Sequence, residues 1–149
     1  MGQLCVSHIG ICVSDWRRSL AFYRDCLGFE HEHEHELEIS GEAASTLLRL
    51  DDVEFRAIYL TRDGVRIELL HFEEPGHRAG DVPRPLNQLG LTHLSLRVDD
   101  LDAFLSELAA ADVAIVDATR VESPDSGTRA IFITDPDGTL IELVQQHGG

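Results

Sequence analysis

The feature that most limits how this chain can fold is that its second half repeats its first. Val6-Ser7-His8-Ile9-Gly10-Ile11-Cys12-Val13-Ser14-Asp15 aligns with Leu91-Thr92-His93-Leu94-Ser95-Leu96-Arg97-Val98-Asp99-Asp100, with the histidine seven residues before the aspartate in both. Asp63-Gly64-Val65-Arg66-Ile67-Glu68-Leu69 aligns with Asp137-Gly138-Thr139-Leu140-Ile141-Glu142-Leu143, with Asp-Gly the same distance ahead of the glutamate. In 149 residues such a repeat predicts two small modules within one domain. The first covers 1–74, the second 91–149. The connector 75–90 is marked by Pro75, Pro83, Pro85, Gly76, Gly80 and Gly90.

Periodicity gives both modules the same plan. In an extended chain His8, Gly10 and Cys12 share one face while Ile9, Ile11 and Val13 share the other. Ser14 or Asp15 then caps a helix that carries Trp16, Leu20, Tyr23 and Leu27 at helical spacing, with Gly28 as its stop. The second half follows suit: His93, Ser95 and Arg97 alternate with Leu94, Leu96 and Val98. Asp99 or Asp100 caps a helix with Leu101, Phe104, Leu105 and Leu108. Strands are expected over 45–50, 55–61 and 65–72, and over 114–116, 129–134 and 139–145. The expected fold is therefore α+β, with two tandem β-α-β-β-β modules.

Composition removes several classes of function. With 27 acidic against 12 basic residues the formal charge is −15, which leaves no basic footprint for nucleic acid. No stretch approaches the roughly 20 apolar residues of a membrane span, and the N-terminus lacks a basic segment followed by an apolar run, so the cytoplasm is the expected location. Cys5, Cys12 and Cys26 have no CxxC spacing and read as reduced thiols. No serine stands in a GxSxG elbow.

The repeated histidines and glutamates carry the chemistry. A histidine alone on a strand is most often an ordinary hydrogen-bonded residue, but His8 and His93 recur at matching places. Glu68 and Glu142 each interrupt an apolar strand, where an unpaired carboxylate costs several kcal/mol. An internal arginine such as Arg66 or Arg97 could neutralise one of them more readily than both; a shared cation answers for both. Two imidazoles and two carboxylates suit one divalent ion of the Zn, Ni, Co, Fe or Mn kind. Such a site leaves room for a substrate with two adjacent oxygens, whose carbonyl is polarised while a ligand carboxylate takes the neighbouring proton. Cys12 shares the His8 face. Arg97 shares the His93 face, where it could grip an anionic substrate group or form a structural salt bridge.

These residues resemble the vicinal oxygen chelate superfamily, which includes glyoxalase I, methylmalonyl-CoA epimerase, extradiol dioxygenases and fosfomycin-resistance proteins. The likeness rests on His8-Ile9-Gly10-Ile11, Ser19-Leu20-Ala21-Phe22-Tyr23-Arg24-Asp25-Cys26-Leu27-Gly28-Phe29, Glu68, His93 with Val98-Asp99-Asp100, and Asp135-Pro136-Asp137-Gly138 before Ile141-Glu142-Leu143. The order His8, Glu68, His93, Glu142 is similar to glyoxalase I, in which all four bind metal and carboxylates assist proton transfer. Cys12 stands where bacterial glyoxalase I has an arginine, and Phe72 where it has an asparagine, so substrate contacts there differ from those for glutathione. The stretch from Ile67 to His71 and on through Gly90 to His93 is similar to methylmalonyl-CoA epimerase, with Thr92 in place of a histidine. The resemblance implies that the two modules form a curved mixed sheet around a metal-binding cavity, in a homodimeric lyase or isomerase that forms a metal-stabilised enolate from a small oxygenated substrate. Its rivals are an extradiol-type iron dioxygenase and a non-catalytic small-molecule (antibiotic) binding protein.

One further segment, Glu30-His31-Glu32-His33-Glu34-His35-Glu36, alternates acid and imidazole. It is expected to be a solvated edge strand whose charges discourage edge pairing.

Overall fold

A computed structural model describes residues 2–80 and 84–146. The chain divides into two compact units, Met1–Ala79 and Gly80–Gly149. Each has its own mixed sheet and core, and the class is α+β.

In the first unit, β1 (Ile9–Cys12) runs into α1 (Trp16–Ala21), which continues as a wider π-helical turn over Phe22–Cys26. Asp15 is the N-cap, its carboxylate accepting from the backbone of Arg17 and Arg18 at 3.0 and 3.1 Å. The expected apolar stripe is buried at Leu20, Tyr23 and Leu27, and Trp16 is held between the guanidinium groups of Arg17 and Arg56. Next come β2 (Glu30–His31), a 3₁₀ turn over His33–His35, β3 (Leu37–Ser40), α2 (Glu42–Leu48), β4 (Glu54–Arg62) and β5 (Val65–Glu74). The sheet order is β1-β5-β4-β2, with β3 also paired to β4; β1 is parallel to β5 and the other pairs are antiparallel.

Two expectations fail here. The strand expected over 45–50 is largely helix, because Glu42-Ala43-Ala44 supplies strong helix formers and Ala44 and Leu48 dock on one patch of sheet. Arg49 closes α2 in the left-handed conformation at φ 55°. The His-rich segment has two strand residues followed by a turn, and its burial is uneven: the His31 side chain is only 4 % exposed.

In the second unit, β6 (Leu94–Arg97) leads to α3 (Leu101–Ala110), then β7 (Ile115–Glu122), β8 (Arg129–Thr134) and β9 (Leu140–Gln145), in the order β6-β9-β8-β7. Asp100 caps α3 by accepting from Ala103 N at 3.0 Å, and Leu101, Leu105 and Leu108 are buried. β7 extends well past the expected 114–116. The connector has neither helix nor strand among its described residues; Asp81, Val82 and Pro83 lie outside them. Arg84 organises its later part, donating to the carbonyls of Gln88, Leu89 and Leu91 just ahead of His93.

Register settles which face of each sheet carries chemistry. Ile67 and Leu69 pair with Leu60 and Ile58, and all four are buried on the α1 side. Glu68 lies opposite Tyr59 on β4 and Gly10 on β1, which places it on the other face with His8 and Cys12. Farther along that face, Phe55 and Ala57 form a small core with Leu70, Phe72 and the α2 residues. In the second unit Glu142 lies opposite Ser95 on β6 and Phe132 on β8.

Candidate functional site

Each unit brings its histidine onto its glutamate. His8 Nε2 lies 3.0 Å from Glu68 Oε2, and His93 Nε2 lies 3.6 Å from Glu142 Oε2. The hydroxyl of the preceding residue meets the other ring nitrogen in both: Ser7 Oγ to His8 Nδ1 at 3.0 Å, Thr92 Oγ1 to His93 Nδ1 at 2.9 Å. An aromatic ring then braces each imidazole edge-on, Tyr59 against His8 and Phe132 against His93, both with centroids 5.4 Å apart.

This arrangement accepts two proton placements. In one, the hydroxyl donates to Nδ1 and Nε2–H donates to the carboxylate, an ordinary hydrogen-bond chain. In the other, Nδ1–H donates to the hydroxyl and Nε2 turns a lone pair toward the region that Oε2 also faces, the arrangement that a divalent cation uses. The donor set therefore fits a borderline divalent ion, with the orienting hydroxyls already in place. Within each unit the set stops at one imidazole and one carboxylate: among the described residues no group of three or more His, Cys, Asp or Glu could hold an ion. A complete coordination sphere needs ligands beyond any one pair.

The glutamates are solvated differently. Glu68 is 8 % exposed and accepts a short hydrogen bond from Tyr59 Oη at 2.6 Å on Oε1, leaving Oε2 toward His8. Burial, followed by the bond to Glu68, pushes the Tyr59 phenol up to about 12, so it remains a donor at neutral pH. Glu142 is half-buried and accepts from Ser95 Oγ at 2.7 Å on Oε2, the same oxygen that faces His93. Among the described residues neither glutamate forms an ion pair with an arginine. Arg66 donates to Glu32, the residue ahead of the 3₁₀ turn, from Nε at 3.1 Å to each carboxylate oxygen and from Nη2 at 2.7 Å, and lays its guanidinium 3.9 Å over the Tyr59 ring. Arg97 makes no ion pair among the described residues.

The candidate substrate contacts fall on the same faces. Cys12, opposite Leu70, and Arg97, opposite Val144, stand two residues beyond the positions flanking each glutamate, and both are exposed. Phe72 is half-buried and stacks on Phe55, with centroids 5.4 Å apart, in the small core under α2. None of the three cysteines forms a disulfide among the described residues.

Sequence reading missed Tyr59, Ser95 and the hydroxyls before each histidine. The signal for Tyr59 was present. Asp63 and Gly64 both have positive φ, 50° and 78°, as a two-residue hairpin turn requires, so Arg62 pairs with Val65 and Tyr59 must then oppose Glu68. Ser95 followed from the alternation that put it on the His93 face. In the closing motif, buried Asp135 accepts from the backbone of Asp137 and Thr139 at 2.9 and 2.8 Å, a turn that aims β9 and with it Glu142.

Residues 6–143 match the family model described as Glyoxalase/Bleomycin resistance protein/Dioxygenase superfamily. The chain is 34 % identical over 146 residues to the protein YaeR of Escherichia coli strain K12, covering 98 % of this chain and 99 % of that one. A crystal structure of a glyoxalase family protein from Bacillus cereus superposes with a TM-score of 0.83 at 26 % identity, over 99 % of this chain and 97 % of the other. The trypanothione-dependent glyoxalase I of Leishmania major shares the fold at a TM-score of 0.63 and 21 % identity, over 93 % of this chain and 84 % of the other.

Proposed function

Because the chain belongs to the Glyoxalase/Bleomycin resistance protein/Dioxygenase superfamily, we propose that it is a divalent-metal-dependent lyase or isomerase whose metal ligands are His8, Glu68, His93 and Glu142. The observation that carries this reading is the matched pair. In each unit a histidine with its Nδ1 tied to a neighbouring hydroxyl meets a strand glutamate. Zn, Ni, Co, Fe or Mn would suit these donors.

When bound, the ion would polarise a substrate carbonyl and make the adjacent C–H more acidic. The chain's own groups do the rest. Glu68 or Glu142 takes the proton from carbon and returns it, either to the neighbouring atom or to the opposite face of the same one. Arg97, a cation on the ligand face of an acidic chain, grips an anionic group of the substrate. Cys12 stands at the equivalent place in the first unit and offers a small, weakly polar surface, and Phe72 gives an apolar edge farther along. The substrate class is a small α-carbonyl compound, the family likeness supports a homodimer, and the cytoplasm is the proposed location. Among the described residues no helix is long and apolar enough to cross a membrane.

Elemental analysis of protein purified without an affinity tag tests the reading. One equivalent of metal per chain is expected, lost in His8→Ala and in His93→Ala and unchanged in His33→Ala and His35→Ala. Absence of stoichiometric metal would sink it, and oxygen uptake with catechols would move the assignment to a dioxygenase.

A further inference from the structure

The residues flanking each glutamate differ between the units in a complementary way. Glu68 lies between Gly10 on β1 and Tyr59 on β4; Glu142 lies between Ser95 on β6 and Phe132 on β8. Each glutamate therefore has one hydroxyl-bearing neighbour, and the two hydroxyls come from opposite flanks. Tyr59 Oη donates to Glu68 at 2.6 Å from the β4 side, and Ser95 Oγ donates to Glu142 at 2.7 Å from the β6 side. The flank without a hydroxyl has its own role in both cases. Phe132 braces His93 as the Tyr59 ring braces His8, so ring and hydroxyl are separable contributions of that position. Gly10 has no side chain, but a Cβ built there would stand 3.9 Å from Glu68 Oε2. That is where a serine would begin to reach the carboxylate, as Ser95 does in the other unit.

We propose that Tyr59 and Ser95 are positioning residues, each supplying the single hydroxyl that orients its unit's glutamate, and that the hydroxyl works equally from either flanking strand. This rests on the reading of the two glutamates as metal ligands. An unoriented carboxylate must give up rotamer freedom when it takes a cation, whereas one held by a donor on a rigid strand has already done so. The Tyr59 arm is the more firmly built, because Arg66 covers its ring and is itself anchored on Glu32 through two of its nitrogens, at 2.7 and 3.1 Å. The acid-and-histidine turn over His33–His35 thus acts as the outer anchor of a metal-facing glutamate: His35 Nδ1 meets Glu32 Oε2 at 3.0 Å, and the same carboxylate grips Arg66.

Titration of metal-free protein with Zn²⁺ tests this directly. Tyr59→Phe and Ser95→Ala should each weaken Zn²⁺ affinity by about 10–100-fold, the range for loss of a residue that orients a ligand. The metal-free variants should remain folded, Ser95→Ala with an unfolding midpoint close to wild type and Tyr59→Phe a few degrees lower, because it takes a donor from a buried carboxylate. Gly10→Ser added to Tyr59→Phe copies the second unit's pattern and should recover most of the affinity. Its Cβ would come within 3.3 Å of the flexible end of Leu70, which must shift slightly. Phe132→Tyr added to Ser95→Ala makes the converse exchange in case the first double variant fails to fold. Wild-type affinity in both single variants, or no recovery in a folded double variant, would overturn the positioning role while leaving the metal reading intact. A wild-type protein that takes up no Zn²⁺ would bring down both.

Discussion

The first unit inserts β3 and α2 ahead of its long hairpin, and with them a second small core of Val53, Phe55 and Ala57 on the face that carries Glu68. The second unit passes from α3 directly into β7, β8 and β9, with no counterpart of that helix among its described residues. The glutamates record the difference. The Glu68 side chain is 11 % exposed and that of Glu142 28 %, although both interrupt the same kind of strand. Residues that set direction recur in both units: the capping aspartate, the hydroxyl before the histidine, the aromatic beside it. Residues that set solvation and charge diverge, with Gly10 against Ser95, Cys12 against Arg97 and Tyr59 against Phe132. Strand position therefore aims a carboxylate, while its neighbours decide how dry it is.

Equivalence of the two glutamates in proton transfer is the largest effect to test. Glu68→Gln and Glu142→Gln should each lower solvent-deuterium exchange into small α-carbonyl compounds by at least about 100-fold, the lower end of what a general base contributes. Either variant at full rate would break the equivalence and leave proton transfer to the other glutamate. The cores offer a second comparison. Leu69 and Leu143 follow the glutamates in sequence, and neither has measurable exposure. Truncation of either to alanine should cost about 2–5 kcal/mol in denaturant unfolding. A clearly cheaper Leu69→Ala would mean that the first unit collapses around the cavity more readily than the second.

Much of this architecture was legible because it depends on local signals. Asp15 and Asp100 announced their helices, and the apolar runs around Glu68 and Glu142 announced β5 and β9. The repeat singled out His8, Glu68, His93 and Glu142 by presenting each residue type twice, as one four-ligand set, while their meeting as one pair in each unit depends on strand register. What stayed hidden depends on long-range register. The alternation of residues 30–36 suggested one strand with all acids on one side, but Glu32 is drawn to Arg66 and Glu36 to Arg56, far along the chain, and the backbone turns to reach both. His31 is left buried against His33, centroids 3.9 Å apart, and burial pushes its imidazole down. The helix at Glu42–Leu48 is masked because the apolar run after Ser45 looks strand-like, while the strong helix formers Glu-Ala-Ala that start it lie upstream. Ser45 Oγ instead accepts from Val53 N at 3.1 Å, pinning the helix to the loop that follows it.

The smallest effect separates the outer supports of the two units. Each has a carboxylate gripping an arginine through two of its nitrogens, Glu32 with Arg66 and Asp102 with Arg129. In both the arginine's hydrogen bonds hold the carboxyl below its ordinary value, 4.5 for the glutamate and 3.8 for the aspartate. A depressed carboxyl stabilises the fold above its ordinary value, and that contribution is lost as pH falls through the lowered one. Glu32→Gln should therefore lower the unfolding midpoint by roughly 1–4 °C near neutral pH, with the gap to wild type closing below 4.5. Asp102→Asn should show a weaker version that closes only below 3.8, since its side chain is 62 % exposed and solvent screens the pair. Only the first variant bears on the metal-facing side, because Arg66 lies over Tyr59 while Arg129 ties β8 to the start of α3. A Glu32→Gln protein whose midpoint tracks wild type at every pH would mean that Arg66 keeps its place on the Tyr59 ring without the carboxylate, which would detach the His-rich turn from the support of Glu68.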